Sequence, residues 1–100
     1  MVQATTPTFI LTLPGSVDPE DIAHIYFSLV QNTVNIMKTG EDITIDGQSV
    51  YATLAQVDTV RLIPGAAKIQ LNWTYQNGSR ACSQIVQINI TENLLKEVVE

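Results

Sequence analysis

The chain of 100 residues carries ten acidic and five basic side chains, and its net charge of -5 disfavours a nucleic-acid partner, because phosphate backbones are bound by clustered Lys and Arg. A single domain of this length buries roughly two thirds of its unfolded surface and folds without a metal or a disulfide. No apolar stretch approaches the ~20 residues that span a bilayer, and no basic leader precedes one, so we expect no membrane partner and a cytoplasmic site of synthesis.

The first predicted strand lies between Pro7 and Pro14, after a small, polar arm at residues 1–6 that we expect to be flexible or to be ordered only by a neighbour. Proline is tolerated at strand ends and edges but not in a central ladder, so this strand is predicted to be an edge strand. The residues alternate between two faces, an apolar one of Phe9, Leu11 and Leu13 and an outer one of Thr8, Ile10 and Thr12.

Residues 22–30 are predicted to form the second strand, because both faces keep a period of two and the stretch is rich in β-branched and aromatic residues. Its inner face carries Ile25, Phe27 and Leu29. His24 falls on the outer face and is expected to be a surface residue, since no ligand cluster lies near it in the sequence. A turn at Gln31 and Asn32 leads into a third strand that ends at Gly40.

Residues 43–65 predict a hairpin and then a crossover. The strands ITI and QSVYATLA are joined by Asp46-Gly47, a dipeptide typical of tight turns. The two-residue alternation of a strand does not continue over residues 56–62, where apolar residues recur every three positions as in a short helical turn. Pro64 and Gly65 end this turn, which is expected to link one sheet to the other.

The clearest pattern in the chain is a long hairpin over residues 66–90. Alternation in residues 66–75 places Trp73 on the buried face, and Asn77-Gly78 is expected to supply positive φ at both central turn positions. On the return strand, one face is predicted to hold Cys82, Val86, Ile88 and Ile90, with Ile85 as an apolar exception on the other face. Cys82 is therefore predicted to be a buried, unreactive hydrophobe.

These elements predict an all-β fold, a single antiparallel β-sandwich of about seven strands with immunoglobulin-like character and a short helical crossover near 56–62. Turn signals recur roughly every 8 to 12 residues, as such sandwiches require. One domain is expected to span residues 1–100.

Motifs that carry chemistry are not found in the sequence, which has no phosphate loop, nucleophile elbow or paired-cysteine spacing. Loop solvation accounts for Asp42, the turn for Asp46 and a helix cap for Asp58, although the sequence also allows these three carboxylates to form one cluster. We therefore predict no catalytic residue, no metal site, no cofactor and no enzymatic activity.

In the C-terminal tail, residues 91–100, the alternation typical of strands is replaced by the spacing of a short helix. Leu94, Leu95, Val98 and Val99 would share one face of a short helix. So short a helix is not stable alone in water, so this face must pack on something apolar. We predict that it contacts a neighbouring subunit; the alternative is that it covers an open end of its own sandwich.

The order of these motifs resembles short prophage structural proteins of Gram-positive hosts and the N-terminal sandwich domain of phage baseplate upper proteins. The matching residues are Thr6-Pro7-Thr8, Gln56, Asp58-Thr59, Ile69-Gln70 and Asn77-Gly78, whereas Ala55, Val57 and Trp73 depart from the pattern. The resemblance implies a virion protein of tail, baseplate or head, made in the bacterial cytoplasm. Such a protein would assemble with itself and other virion proteins in a symmetric particle and would not be a catalyst.

A different class of function also fits the sequence. A free-standing binding domain, such as an inhibitor or a carbohydrate-binding sandwich, would use exposed aromatic rings. Tyr26 and Tyr51 are the rings that the predicted faces leave outside. They lie on different strands and would make a weak platform.

Overall fold

The computed structural model describes residues 1, 2 and 4–93, and in this part of the chain eight strands form two antiparallel sheets that pack together. This confirms the predicted all-β sandwich, with eight strands because the predicted return strand is divided. A short helix, α1, covers Gln56–Thr59, where the crossover was predicted. The strands are β1 (Thr8–Thr12), β2 (Ile22–Gln31), β3 (Val34–Thr39), β4 (Ile43–Asp46), β5 (Ser49–Thr53), β6 (Gly65–Tyr75), β7 (Arg80–Cys82) and β8 (Val86–Ile90).

The two sheets differ in size. Sheet I has the order β1-β5-β4, so β1 is an edge strand as predicted. Sheet II has the order β3-β2-β6, and β7 and β8 both pair with the other side of β6. This order corresponds to strands B-E-D facing C′-C-F-G of an immunoglobulin sandwich, without its first strand and with its last strand divided.

The core lies between the sheets and is built from the inner residues of every long strand. Trp73 on β6 is 1% exposed, in agreement with its predicted burial, and Phe27 and Leu29 on β2 are fully buried. The rings of Phe9 and Phe27 stack with their centres 5.4 Å apart and so join the two sheets. Such an offset aromatic pair adds to the stabilisation that burial alone provides.

The return arm of the long hairpin contains a β-bulge. Asn72 pairs with Cys82, but Ile69 pairs with Val86, so three residues (83–85) lie opposite two residues (70 and 71) of β6. An extra residue moves every later side chain to the opposite face of the sheet. The predicted single face is therefore wrong: Ile88 and Ile90 point inward, whereas Cys82 is exposed.

Ser83 holds the bulge in place. Its backbone N–H donates to the carbonyl of Leu71 at 2.8 Å, and its hydroxyl accepts a hydrogen bond from the N–H of Leu71 at 2.9 Å. The side-chain amide of Gln70 donates to the Ser83 carbonyl at 2.9 Å. The irregular backbone thus has defined partners. The adjacent apolar residues Ile85 and Val86 are the signal in the sequence that marks this change of phase.

Both predicted turns exist, but each is built differently from the prediction. The first has Gly47 and Gln48 at its centre, because Asp46 still pairs with Ser49, and Gly47 has a φ of 58°. In the second, the N–H of Gly78 donates to the carbonyl of Tyr75, and the N–H of Tyr75 donates to the carbonyl of Ser79. This is a three-residue loop in which Gly78 alone has positive φ, 90°.

Replacing Gly78 by Val should lower the free energy of unfolding by about 1 kcal/mol or more, because a β-branched residue adopts positive φ only with strain. Urea unfolding measures the loss. Gly15→Val is the matched control, since a Cβ atom added at either position meets nothing within 4 Å but Gly15 lacks positive φ. Equal stability of the Gly78→Val and Gly15→Val proteins would contradict the turn described here.

Asp58 caps α1, as predicted, but it is the third residue of the helix and not the residue before it. Its carboxylate accepts a hydrogen bond from the N–H of Ala55, the residue before the helix, at 3.3 Å. The same carboxylate pairs with Lys38 of β3 at 2.7 Å and with Arg61 at 3.8 Å. Asp58 therefore joins the crossover to sheet II.

The structure gives the described residues of the N-terminal arm definite partners. Val2 bridges Thr91 just beyond β8, and the carbonyl of Met1 accepts from the N–H of Thr91 at 2.8 Å. Ala4 is buried and its N–H donates to the carbonyl of Thr59. These contacts close the end of the sandwich at which β8 ends.

Candidate assembly surface

The free edge of β1 is the first feature of the candidate surface. The N–H of Leu13 donates to the carbonyl of Gln48, and the carbonyl of Pro7 accepts from the N–H of Leu54, so odd-numbered residues of this strand bond to β5. Backbone groups alternate in direction along a strand. The N–H and C=O groups of Thr8, Ile10 and Thr12 therefore point away from β5, toward a side where β1 has no neighbouring strand among the described residues.

Proteins guard edge strands with charged side chains, bulges or covering segments, and also with prolines and short strand length. Among the described residues, β1 is short and lies between Pro7 and Pro14, but it has none of the first three devices. The strand TFILT carries no charge, and its central residue, Ile10, is 65% exposed. By contrast, the β7 and β8 edge of sheet II is interrupted by the bulge at residues 83–85.

An apolar groove, here called the edge groove, runs beside β1 between the two sheets. One wall is formed by residues 10–12 and the other by the bulge and Val86, and Ile69 and Leu71 line its floor. Its volume is about 450 Å³. Of the residues that line the groove, Val86 is 47% exposed and Ile10 is 65% exposed. Exposed apolar side chains grouped in this way are typical of protein–protein contacts.

The predicted assembly residues Leu94, Leu95, Val98 and Val99 lie outside the described residues. The last described strand ends at Ile90, and Thr91 is held by its hydrogen bonds to the carbonyl of Met1. The sequence prediction for this segment therefore stays a prediction.

The titratable residues considered in the sequence lie on different elements of the fold. His24 is exposed, as predicted. Asp42 lies in a 3₁₀ turn after β3, Asp46 ends β4, and Asp58 is in α1. Within residues 1, 2 and 4–93, no group of three or more His, Cys, Asp or Glu side chains is arranged to hold a metal ion.

The two tyrosines do not form a common platform. Tyr26 is on β2 of sheet II and Tyr51 is on β5 of sheet I, and their strand neighbours Phe27 and Val50 point into the core. Each tyrosine therefore lies on the outer face of a different sheet, on opposite sides of the sandwich. A flat ligand cannot contact both rings.

Ile10 was not among the residues predicted to be functional, although its position in the sequence pattern marks it. Ile10 was placed on the outer face between two threonines, where a large apolar side chain has no role in the core. A β-branched apolar residue on the outer face of an uncharged edge strand marks a contact surface.

Comparison with protein-family models, with curated proteins and with solved structures finds no match to this chain. Among the described residues, no helix has the length and apolar character needed to cross a membrane.

Proposed function

We propose that this protein is a structural or adaptor module of a phage virion that acts through protein–protein assembly. The observation that carries the proposal is the uncharged free edge of β1 beside the apolar edge groove. An extended segment that pairs with such an edge gains main-chain hydrogen bonds, and its side chains enter the groove. The virion setting is supported by the sequence resemblance to prophage and baseplate proteins.

A module in a symmetric particle needs more than one contact, because one two-fold contact alone ends at a dimer. The apolar residues Leu94, Leu95, Val98 and Val99 supply the second contact in this proposal. They would pack on a neighbouring subunit, since an apolar face of this size is otherwise left in water.

Sedimentation velocity of the intact chain over a wide concentration range tests the proposal, which expects species larger than a monomer. A chain that ends at Asn93 should keep the far-ultraviolet circular dichroism of the folded protein while forming nothing larger than a dimer. Substituting Lys96 and Glu97 by Gln, within the tail but outside its apolar face, is the control and should leave the assemblies unchanged.

A wild-type chain that remains monomeric at every concentration would contradict the assembly function and favour a free-standing binding domain. Loss of the fold on truncation at Asn93 would show instead that the tail belongs to the core of its own sandwich. Assemblies of unchanged size would show that the tail is not a contact.

A further inference from the structure

The free edge of β1 is chemically symmetric about its central residue. The strand reads Thr-Phe-Ile-Leu-Thr, so each residue and its counterpart across Ile10 belong to the same chemical class. If the strand is paired antiparallel with itself, Thr8 meets Thr12, Phe9 meets Leu11, and Ile10 meets Ile10. Cross-strand pairs of threonines and of β-branched apolar residues are favourable in antiparallel sheets. Thr8 already makes such a pair with Thr53 of β5, with the two hydroxyl oxygens 3.0 Å apart.

The hydrogen-bonding groups of the backbone are arranged with the same symmetry about Ile10. Thr8, Ile10 and Thr12 are the residues whose N–H and C=O groups point to the free edge. In an antiparallel ladder centred on Ile10, these same residues occupy the hydrogen-bonded positions, at which both bonds of a pair are exchanged. The geometry points to a dimer in which β1 of one copy pairs antiparallel with β1 of a second copy about Ile10, an inference that rests on the proposed assembly function.

Pro14 sets the length of this pairing. Residue 14 is the next whose backbone would point to the free edge, and as a proline it has no N–H to donate. In the antiparallel pair, Pro14 of each copy lies opposite residue 6 of the other, so it limits the ladder at both ends. The ladder therefore covers Thr8–Thr12 and does not continue, which fixes the register and opposes open-ended aggregation along the edge.

The charge distribution favours the antiparallel arrangement over a parallel one. The end of the sandwich at which β1 finishes carries Asp18, Glu20, Asp21 and Asp46 against Arg80, whereas at the opposite end Arg61 and Lys68 are balanced by Asp58 and Glu92. In the antiparallel dimer the acidic end of each copy lies beside the opposite end of the other. A parallel pairing would bring the two acidic ends together, where like charges repel.

The expected dimer is weak. A five-residue strand is about 17 Å long, and pairing of two such edges alone covers less than the ~800 Å² per partner of a stable interface. The inner side chains of the second copy face the mouth of the edge groove, where residues 10–12 and Val86 are accessible. We therefore expect an association that depends strongly on protein concentration.

Sedimentation equilibrium of the full chain with two substitutions at Ile10 tests the pairing. Ile10→Pro removes an N–H that points away from β5, so it deletes a donor at the free edge and leaves the ladder to β5 in place. Ile10→Lys adds a charge that opposes edge pairing and decides the test if the proline variant is not folded. Ile63→Lys is the matched control, because Ile63 is 53% exposed in the loop before β6.

Both Ile10 variants should weaken dimerisation at least tenfold, and Ile63→Lys should leave it unchanged. Dimers of wild-type affinity in a folded Ile10→Lys protein would overturn the β1 pairing while leaving assembly through other contacts. A wild-type chain that is monomeric at every concentration would overturn both the pairing and the proposed function.

Discussion

Replacing Trp73 by Ala should lower the free energy of unfolding by about 3 to 5 kcal/mol, the loss measured when a large aromatic side chain is removed from a packed core. Trp73 is 1% exposed and lies opposite Ile25 of β2 and Ala81 of β7. Such a loss is a large part of the stability of a typical domain, about 5 to 15 kcal/mol. Urea unfolding followed by circular dichroism measures it.

Trp73→Phe is the matched variant for this prediction. The indole Nε1 of Trp73 is buried and has no hydrogen-bond partner among the described residues, so phenylalanine loses ring volume but no hydrogen bond. We expect a much smaller loss than with alanine. Efficient quenching of the native tryptophan fluorescence by iodide would contradict the burial of Trp73, because iodide reaches only exposed rings.

Gln31→Leu should destabilise the fold by about 2 to 3 kcal/mol, because it leaves part-buried backbone groups without partners. Gln31 is 5% exposed at the end of β2. Its amide nitrogen donates to the carbonyl of Ile63 at 2.7 Å, and its amide oxygen accepts from the N–H of Ile63 at 2.9 Å. One side chain thus fixes the loop that leads from the crossover into β6.

Gln87→Leu on the exposed face of β8 is the control and should change the unfolding free energy by less than about 0.5 kcal/mol. Leucine has nearly the volume of glutamine, so the Gln31 variant isolates the hydrogen bonds from packing. A Gln31→Leu protein as stable as the Gln87→Leu protein would show that water satisfies the loop equally well.

Most strands could be predicted from the sequence because apolar and polar residues alternate regularly along them. The alternation predicts Ile25, Phe27 and Leu29 on the inner face of β2, and the structure buries all three. Pro7 and Pro14 correctly marked β1 as an edge strand. Alternation shows which positions of a strand face the core and which face water, so it can be recognised in a local stretch of sequence.

The features that were missed depend on contacts between distant parts of the chain. Cys82 is exposed because the bulge at residues 83–85 shifts the register, and hydrogen bonds between Ser83 and Leu71 hold that bulge. Gln31 is buried because Ile63, far along the chain, supplies its partners. From the sequence alone, a polar residue at the end of a strand is predicted to begin a turn, because its hydrogen-bond partner is not known.

The candidate surface was predictable only in part. The strand itself and the outward position of Ile10 follow from alternation. The lack of a neighbour beyond β1 in the described part of the chain, and the edge groove beside it, follow from sheet order and from the packing of the two sheets. Those relations are set by pairings across the whole chain, so no local pattern contains them.

Amide hydrogen–deuterium exchange at low and at high protein concentration is the most direct measurement of assembly through β1. The account predicts that the amides of Thr8, Ile10 and Thr12 exchange more slowly at high concentration, because they gain hydrogen bonds to a second copy. The amides of Phe9 and Leu11 already face β5 and should show little change. Equal exchange of Thr8, Ile10 and Thr12 at both concentrations would contradict the account.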